Sequence, residues 1–250
     1  MTSPQGLYEM VENSIEITEK GICFSSLEFT ILCNACGIHD LICFEQSAGQ
    51  PGERETLQVL LEMVKRGLLI QKGETFSLGD EILSIMDVIA ERKYTIMLRL
   101  PESEISDCCI YIGSGENLVL AEPGVREGEY IVLKVLPKSI LGVFLENGGY
   151  IPKSEISEEI RQIRKIIEET ENAGVEYTPF GEEGPEKYRF KAEIYNGKQD
   201  IKHATLYVYW DKGNELLLEI SELGKVADYY SEDKLIGDIL QLAGINIESH

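Results

Sequence analysis

The chain has 250 residues, 44 acidic and 23 basic, which gives a formal charge of −21 at pH 7 and a pI near 4.5. Because phosphate backbones and lipid head groups recruit Lys and Arg, this balance argues against a nucleic-acid or anionic-membrane binder. The hydrophobic content of 43% is that of a globular protein. With no apolar run of roughly 20 residues and no signal-peptide pattern at the start, we expect a soluble, cytoplasmic protein.

The first 80 residues predict a helical segment with a short hairpin. Residues 14–24 alternate loosely and predict an edge strand or turn. Ser25, followed by Glu28, predicts the N-cap of a first helix that Gly37 ends. Gly, Pro and polar residues predict a loop over 45–55.

A second helix is predicted over 56–67, where the apolar spacing forms one face. That face consists of Leu57, Leu60, Leu61 and Val64. A Lys-Gly turn at 72–73 then predicts a hairpin, and a helical period returns over 80–91.

Two helices, a hairpin and a further helix are the order of a winged helix, so a transcription regulator is one alternative. Residues 1–93 hold 7 basic and 15 acidic residues, however, and the segment 53–67 that would read DNA has balanced charges. A DNA reader normally presents a basic face. The pattern therefore favours packing or protein contacts, and salt-sensitive DNA binding through residues 53–76 would be needed to support the alternative.

Eight strands and three helices are predicted beyond this segment. The helices span 137–149, where Pro137 is placed for a start, and 231–242, which Ser231 caps. A further helix over 156–169 places Ile160, Ile163, Ile166 and Ile167 on one face. The strands are predicted over 95–100, 107–112, 117–122, 129–136, 188–195, 204–210, 215–220 and 225–230.

The two halves of this region align with each other, which predicts an internal duplication. Residues 81–91 match 159–169, residues 110–122 match 208–220, and residues 140–151 match 235–246. The glycine pairs that coincide are Gly115 with Gly213, Gly142 with Gly237, and Gly149 with Gly244. The bland alternative is that any two α+β runs look alike.

The predicted fold is therefore α+β. A helical, winged-helix-like segment over 1–80 precedes two units related by an approximate two-fold, each a helix, a four-stranded antiparallel sheet and a helix. The first unit spans 81–151 and the second 154–246, and we expect 81–246 to form one compact body. Tyr207 and Tyr209 with Trp210 favour a core position over a homodimer interface.

Catalytic motifs are scarce, so we expect no enzyme and no cofactor. The three histidines, His39, His203 and His250, leave little for acid–base work. No phosphate-cradling glycine loop, GxSxG elbow or HExxH is present. Cys108 and Cys109 could be drawn with His203 as nucleophile and base, but nothing in the sequence places them together.

The six cysteines lie in apolar runs, and we expect them reduced and mostly buried. Cys33 and Cys36 form a CxxC pair, and with Cys23 and Cys43 a four-sulfur zinc site can be imagined. The ligand spacing does not match the usual zinc pattern. A redox pair normally opens a helix, whereas this one lies near a helix end. Core packing is favoured over metal or redox chemistry.

The order of elements resembles the EspG family of type VII (ESX) secretion-associated chaperones. The residues that carry this resemblance are SSLEFTILCNACGI at 25–38, then LLEMVKRGLLIQKGETFSLGDEI at 60–82 with its Arg66-Gly67-Leu68 step. The strands TIMLRL to YIVLKVL, the following helix PKSILGVFLE and a duplicated second half agree with it. The resemblance covers most of residues 14–246.

The resemblance implies a cytosolic, non-enzymatic chaperone or adaptor that binds a helical secretion substrate and keeps it covered until export. In that family the loop between the second and third strands of the first sheet and helices of the C-terminal half contact the client. The equivalent loop here, residues 113–116, is short. That departure implies a different client or contact surface. The turn positions predicted to bind a protein partner are Ser114, Gly115, Glu116, Asp211, Lys212 and Gly213. A monomer, a homodimer and an uncharacterised ligand-binding α+β protein remain open.

Overall fold

A computed structural model describes residues 21–39, 41–42, 52–101, 107–123, 130–157, 159–160, 162–164, 166, 175, 177–181, 183–197 and 201–245. The predicted strand over 14–20, the loop over 45–51, Cys43, Ile167 and His250 lie outside the described residues.

The described chain combines helices with runs of antiparallel strands, which confirms the predicted α+β class. The helices are α1 (Ser26–Ala35), α2 (Glu53–Lys65), α3 (Asp80–Ala90), α4 (Leu141–Asn147, after a 3-10 turn at Lys138–Ile140) and α5 (Glu232–Leu242). The strands are β1 (Ile22–Ser25), β2 (Leu69–Lys72), β3 (Thr75–Leu78), β4 (Tyr94–Arg99), β5 (Cys108–Ile112), β6 (Asn117–Pro123), β7 (Tyr130–Pro137), β8 (Phe190–Asn196), β9 (Ile201–Asp211), β10 (Asn214–Ser221) and β11 (Gly224–Tyr229).

The start of α1 is a capping box, as the sequence predicts. The Ser25 hydroxyl accepts from the Glu28 amide at 3.2 Å, and the Glu28 carboxylate accepts from the Ser25 amide at 2.7 Å. These bonds satisfy two of the amide donors that an α-helix leaves unpaired at its start. Beyond the other end, Gly37 adopts φ +67°, a left-handed conformation that suits glycine.

The chain divides into two compact units. The first draws its described residues from within Met1–Thr95, Cys108–Lys138 and Gly197–Asp200, and the second from within Ile96–Asp107, Ser139–Asn196 and Ile201–His250. The domain boundaries that the sequence suggested, after residue 80 and between 151 and 154, stay predictions.

In the first unit, four antiparallel strands lie in the order β1-β7-β6-β5. β1 lies at the edge, as predicted, and pairs with β7 from Ile22 opposite Leu133 to Ser25 opposite Tyr130. α3 packs against β5 and β6 and buries one apolar face. That face consists of Ile82, Ile85, Met86 and Ile89.

Arg66 connects the two N-terminal helices of this unit. It follows α2, donates from Nη1 to Glu28 Oε1 at 2.7 Å, and also donates from Nη2 to the Cys23 carbonyl. Gly67 then turns the chain at φ +74°, and Leu68 is buried. The Arg-Gly-Leu step therefore has a structural role in this chain, since it anchors α1, ends α2 and leads into β2.

In the second unit, β8, β9, β10 and β11 form an antiparallel meander, and the Ile96–Arg99 part of β4 lies beside β8. β10 is the one hydrogen-bonded neighbour of β11 among the described strands. One sheet face buries Tyr207, Tyr209, Leu216 and Leu218 under half-buried apolar side chains. Those covering side chains include Val175, Tyr177, Phe180 and Tyr188. Tyr207 and Tyr209 thus lie in the core as expected, whereas Trp210 is 44% exposed.

Gly184 allows the chain to cross closely over Tyr207. Its φ is +77°, and a Cβ at this position would lie 2.6 Å from Tyr207 Cε2. The Tyr207 hydroxyl donates to the neighbouring Glu183 carbonyl at 2.8 Å. Glycine is required here on two counts, the left-handed backbone and the lack of space for a side chain.

A buried carboxylate, Glu215, organises the polar part of this unit. It accepts from the Arg189 guanidinium, from Ser154 Oγ at 2.8 Å and from the Glu155 amide at 3.1 Å. Glu215 is 1% exposed, so these donors replace the water that the charge would otherwise require. The network fixes residues 154–155 against β8 and β10.

The aligned glycines of the two halves agree at some positions and differ at others. Gly149 and Gly244 adopt φ +73° and +66° just beyond α4 and α5, each followed by an amide that bonds five residues back. Gly142 and Gly237 differ in their surroundings. A Cβ at Gly142 would lie 3.3 Å from the Ile236 side chain, whereas a Cβ at Gly237 would meet no atom within 4 Å. Gly213 lies at φ +78° in a two-residue turn, and Gly115 lacks a positive φ.

The predicted core face of α2 is only partly covered. Leu57 is 50% and Leu61 39% exposed, and the buried residue of the helix is Met63. Apolar spacing identified the apolar face, but it does not determine whether another element covers that face. None of the helices in the described ranges is long and apolar enough to cross a bilayer.

Candidate functional site

The first group of predicted partner-binding residues forms the turn between β5 and β6. Ser114, Gly115 and Glu116 are exposed. Lys138 holds this turn from two sides: its amide donates to the Glu116 carbonyl at 2.8 Å, and its Nζ donates to the Gly113 carbonyl at 2.6 Å. Burial, together with the nearby Lys93, lowers the pKa of Lys138 although Glu116 opposes this. The turn is accessible and held in place.

The second predicted group forms the turn between β9 and β10. Lys212 and Gly213 are exposed at φ +49° and +78°, the left-handed pair of a tight hairpin turn. Asp211 is half-buried, and its carboxylate accepts from the amide and hydroxyl of Thr178 at 2.5 and 2.9 Å. The two predicted turns belong to different units, and their partner-binding role stays a prediction.

The CxxC cysteines are poorly suited to nucleophilic chemistry. Burial, with the nearby Cys36, raises the pKa of Cys33 to about 12. Burial, with Asp87, also raises the pKa of Cys36. Both thiols are free and in the protonated, weakly reactive form near neutral pH. Among the described residues, no group of three or more His, Cys, Asp or Glu is arranged to hold a metal ion.

The expectation that every cysteine is reduced is wrong at Cys109, which is disulfide-bonded. Cys23, Cys33, Cys36 and Cys108 form no disulfide. Cys108 is buried on β5. Spacing alone could not reveal the bond, because pairing depends on which distant strands and loops meet.

A cleft of about 540 Å³ opens within the second unit. Two of its charged lining groups have partners within the protein: Arg189 binds Glu215, and Glu232 accepts from the Ser154 amide at 2.7 Å. It is lined by Leu100, Glu146, Gly149, Ile151, Pro152, Lys153, Arg189, Glu232 and Asp233.

Three isoleucines of the second unit lie exposed on one helical stretch. Residues 159–160, 162–164 and 166 are helical, as predicted. Ile160, Ile163 and Ile166, which we term the isoleucine face, are 46%, 57% and 62% exposed. Arg164, from the same stretch, is half-buried with its guanidinium 5.6 Å from the centre of the Tyr229 ring. Arg164 faces the protein, whereas the three isoleucines are exposed, as are Glu159 and Gln162.

A second charged cluster surrounds Glu193 on β8. Lys202 Nζ lies 2.5 Å and Lys191 Nζ 3.0 Å from Glu193 Oε1, and Arg99 Nη2 lies 4.0 Å from Oε2. No motif or spacing in the sequence marks these residues as a site. Alternation along β8 places Lys191 and Glu193 on one face, but the contribution of Arg99 depends on β4 lying beside β8.

No protein-family model fits the chain, and no curated protein shows significant similarity to it.

Proposed function

We propose that this protein is a non-enzymatic, protein-binding chaperone or adaptor that docks a partner on the isoleucine face. The observation that carries this proposal is the exposure of Ile160, Ile163 and Ile166 on one helical stretch. Burying an aliphatic side chain of this size is worth roughly 1.5–3 kcal/mol. Three such side chains left in water favour a surface that is covered in a complex.

The partner is a helix of another protein. Side chains three residues apart form a ridge that fits the groove between side chains on a second helix. A second copy of this chain is disfavoured, because each copy carries a charge of −21 and the two would repel. The resemblance to the EspG family extends the proposal to a secretion substrate as the client and to the cytoplasm as the compartment.

Other features of the chain are consistent with this role. Four of the described cysteines form no disulfide, as is usual in a reducing compartment, although the disulfide at Cys109 is uncommon there. We also propose the two-fold duplication of residues 81–151 and 154–246. The matching left-handed caps at Gly149 and Gly244 support it.

The test compares Ile163→Glu with Val226→Glu, a matched control on β11 whose side chain is 64% exposed. Tagged proteins capture partners from native cytosol at low and moderate salt, and retained proteins are identified by mass spectrometry. The candidate partner is then purified and titrated calorimetrically. We expect the wild type and Val226→Glu to bind a helical partner, and Ile163→Glu to bind it at least about tenfold more weakly.

Two outcomes would contradict the proposal. If no protein is retained by the wild type at either salt concentration, the carrier function is wrong. If a partner binds Ile163→Glu as tightly as it binds Val226→Glu, the isoleucine face is not the docking surface.

A further inference from the structure

Three cationic side chains, Arg99, Lys191 and Lys202, surround the buried carboxylate of Glu193. The two lysines both lie within hydrogen-bond distance of the same oxygen, Oε1, at 2.5 and 3.0 Å. Burial alone would raise the pKa of Glu193, but hydrogen bonds from Lys202 and Lys191 lower it overall. The lysines are thus sufficient to neutralise this carboxylate, and the cluster holds more positive charge than Glu193 requires.

Arg99 is the surplus cation. Its Nη2 lies 4.0 Å from Glu193 Oε2, beyond hydrogen-bond distance, and contacts the Met97 sulfur at 3.6 Å. Its Nε lies 3.6 Å from an Asp107 oxygen, and this buried atom has no hydrogen-bond acceptor among the described residues. A guanidinium carries five N–H donors, so most of the capacity of Arg99 is unused by the residues that the structure describes.

A ligand can reach this cluster from solvent. The Arg99 side chain is 41% and the Lys202 side chain 53% exposed, whereas Lys191 is mostly buried behind them. Counting Arg99, Lys191 and Lys202 against Glu193 and Asp107 leaves a net charge of +1. This excess stands out in a chain whose total charge is −21.

We propose that Arg99 and Lys202 form a binding site for a small oxyanion, of the phosphate or carboxylate type. The planar guanidinium can donate two parallel hydrogen bonds to adjacent oxygens, and the lysine adds a point charge beside it. Lys191 and Glu193 keep the two binding cations in place. The site is independent of the isoleucine face, and its existence does not depend on the carrier function.

The experiment titrates the full chain with inorganic phosphate, succinate or chloride at matched ionic strength. Binding is followed by the NMR shift of the Arg99 Nε–Hε signal and by the thermal midpoint. We expect phosphate or succinate, but not chloride, to give a saturable shift. The anion that binds more tightly identifies the physiological class, and either preference supports the site.

The variants separate a specific site from a general salt effect. Because Arg99→Gln removes the charge-assisted hydrogen bonds to the anion, it should weaken binding at least about tenfold, as read from the thermal midpoint. Lys65→Gln, at an exposed ion pair with Glu62, should leave it unchanged. Glu193→Gln should tighten it, because this variant removes the competing negative charge.

Arg99→Gln and Glu193→Gln are expected to change anion affinity in opposite directions, which a general salt effect would not do. Circular dichroism shows whether each variant folds. If Glu193→Gln does not fold, the Arg99→Gln comparison still decides. Equal stabilisation of the wild type and Arg99→Gln by phosphate and succinate, or a response no different from that to chloride, overturns the proposal.

Discussion

Glu28 in the first unit and Glu215 in the second are both buried carboxylates held by an arginine, yet they are assembled differently. Glu28 is 7% exposed and accepts from Ser25, three residues away, as well as from Arg66. Glu215 is 1% exposed, and its donors Arg189, Ser154 and Glu155 lie 26 to 61 positions away in the chain. One of the two partners of Glu28 is close in sequence, whereas all the partners of Glu215 are distant in sequence.

The difference shows which buried charges a sequence can reveal. The capping half of the Glu28 site follows from residue spacing alone, because a helix start places its first and fourth residues together. Glu215 follows Asn214 and precedes three leucines in β10, and nothing near it in the sequence names a partner. The hydrogen bonds of Glu215 should therefore depend more on the intact tertiary fold than those of Glu28.

The largest effect is expected from Arg189→Ala. This change leaves the Glu215 carboxylate buried with two neutral donors, which should lower the free energy of unfolding by roughly 3–5 kcal/mol. Urea unfolding monitored by circular dichroism measures it. The double variant Arg189→Met with Glu215→Leu should recover most of the loss, since no charge remains buried. If the double variant is as unstable as Arg189→Ala, packing and not charge explains the effect.

A smaller effect is expected from Arg66→Ala. Glu28 keeps its bond to the Ser25 amide, and the Arg66 side chain is 40% exposed, so water can replace part of the interaction. We expect a loss of roughly 2 kcal/mol in the same urea experiment. Arg54→Ala, at an exposed position on α2, is the control and should stay within about 0.5 kcal/mol of the wild type. If Arg66→Ala lowers the free energy of unfolding no more than the control does, Arg66 does not anchor α1.

The smallest effect is expected from Ser25→Ala, which removes one half of the capping box. Loss of an N-cap hydroxyl typically costs about 1 kcal/mol. Ser77→Ala, where a surface hydroxyl lies 3.4 Å from the Ile70 carbonyl, should cost less. Were the two variants equally stable, the local half of the Glu28 site would contribute nothing measurable, and the contrast with Glu215 would disappear.

The elements themselves were largely predictable. Ser25 and Ser231 were identified as helix caps because short polar side chains favour that position, and both cap in the structure. Alternation located the strands to within a few residues. Coverage could not be predicted: Leu57 and Ile163 belong to apolar faces that the spacing identified, yet both are exposed. Periodicity describes one element, whereas burial depends on its neighbour.

The candidate sites follow the same division. Glycine and turn chemistry placed Lys212 and Gly213 in a tight hairpin, and the backbone angles agree. The anion site at Arg99 was missed, because its parts come from β4, β8 and β9 and share no motif. The disulfide at Cys109 was missed for the same reason. Chemistry that needs several distant elements becomes visible only when those elements are placed.

The terminal strand β11 bears on how the protein behaves at high concentration. A strand with a single neighbour exposes main-chain groups that can template pairing between molecules, and Val226 and the fully exposed Leu223 make that edge more adhesive. Lys225 and Asp228 place charges within the strand, which disfavours its pairing with a strand of another molecule. Association is also opposed by repulsion between molecules, since each carries a charge of −21 at neutral pH. Near pH 4.5, where the net charge vanishes, we expect molecules to associate through this edge.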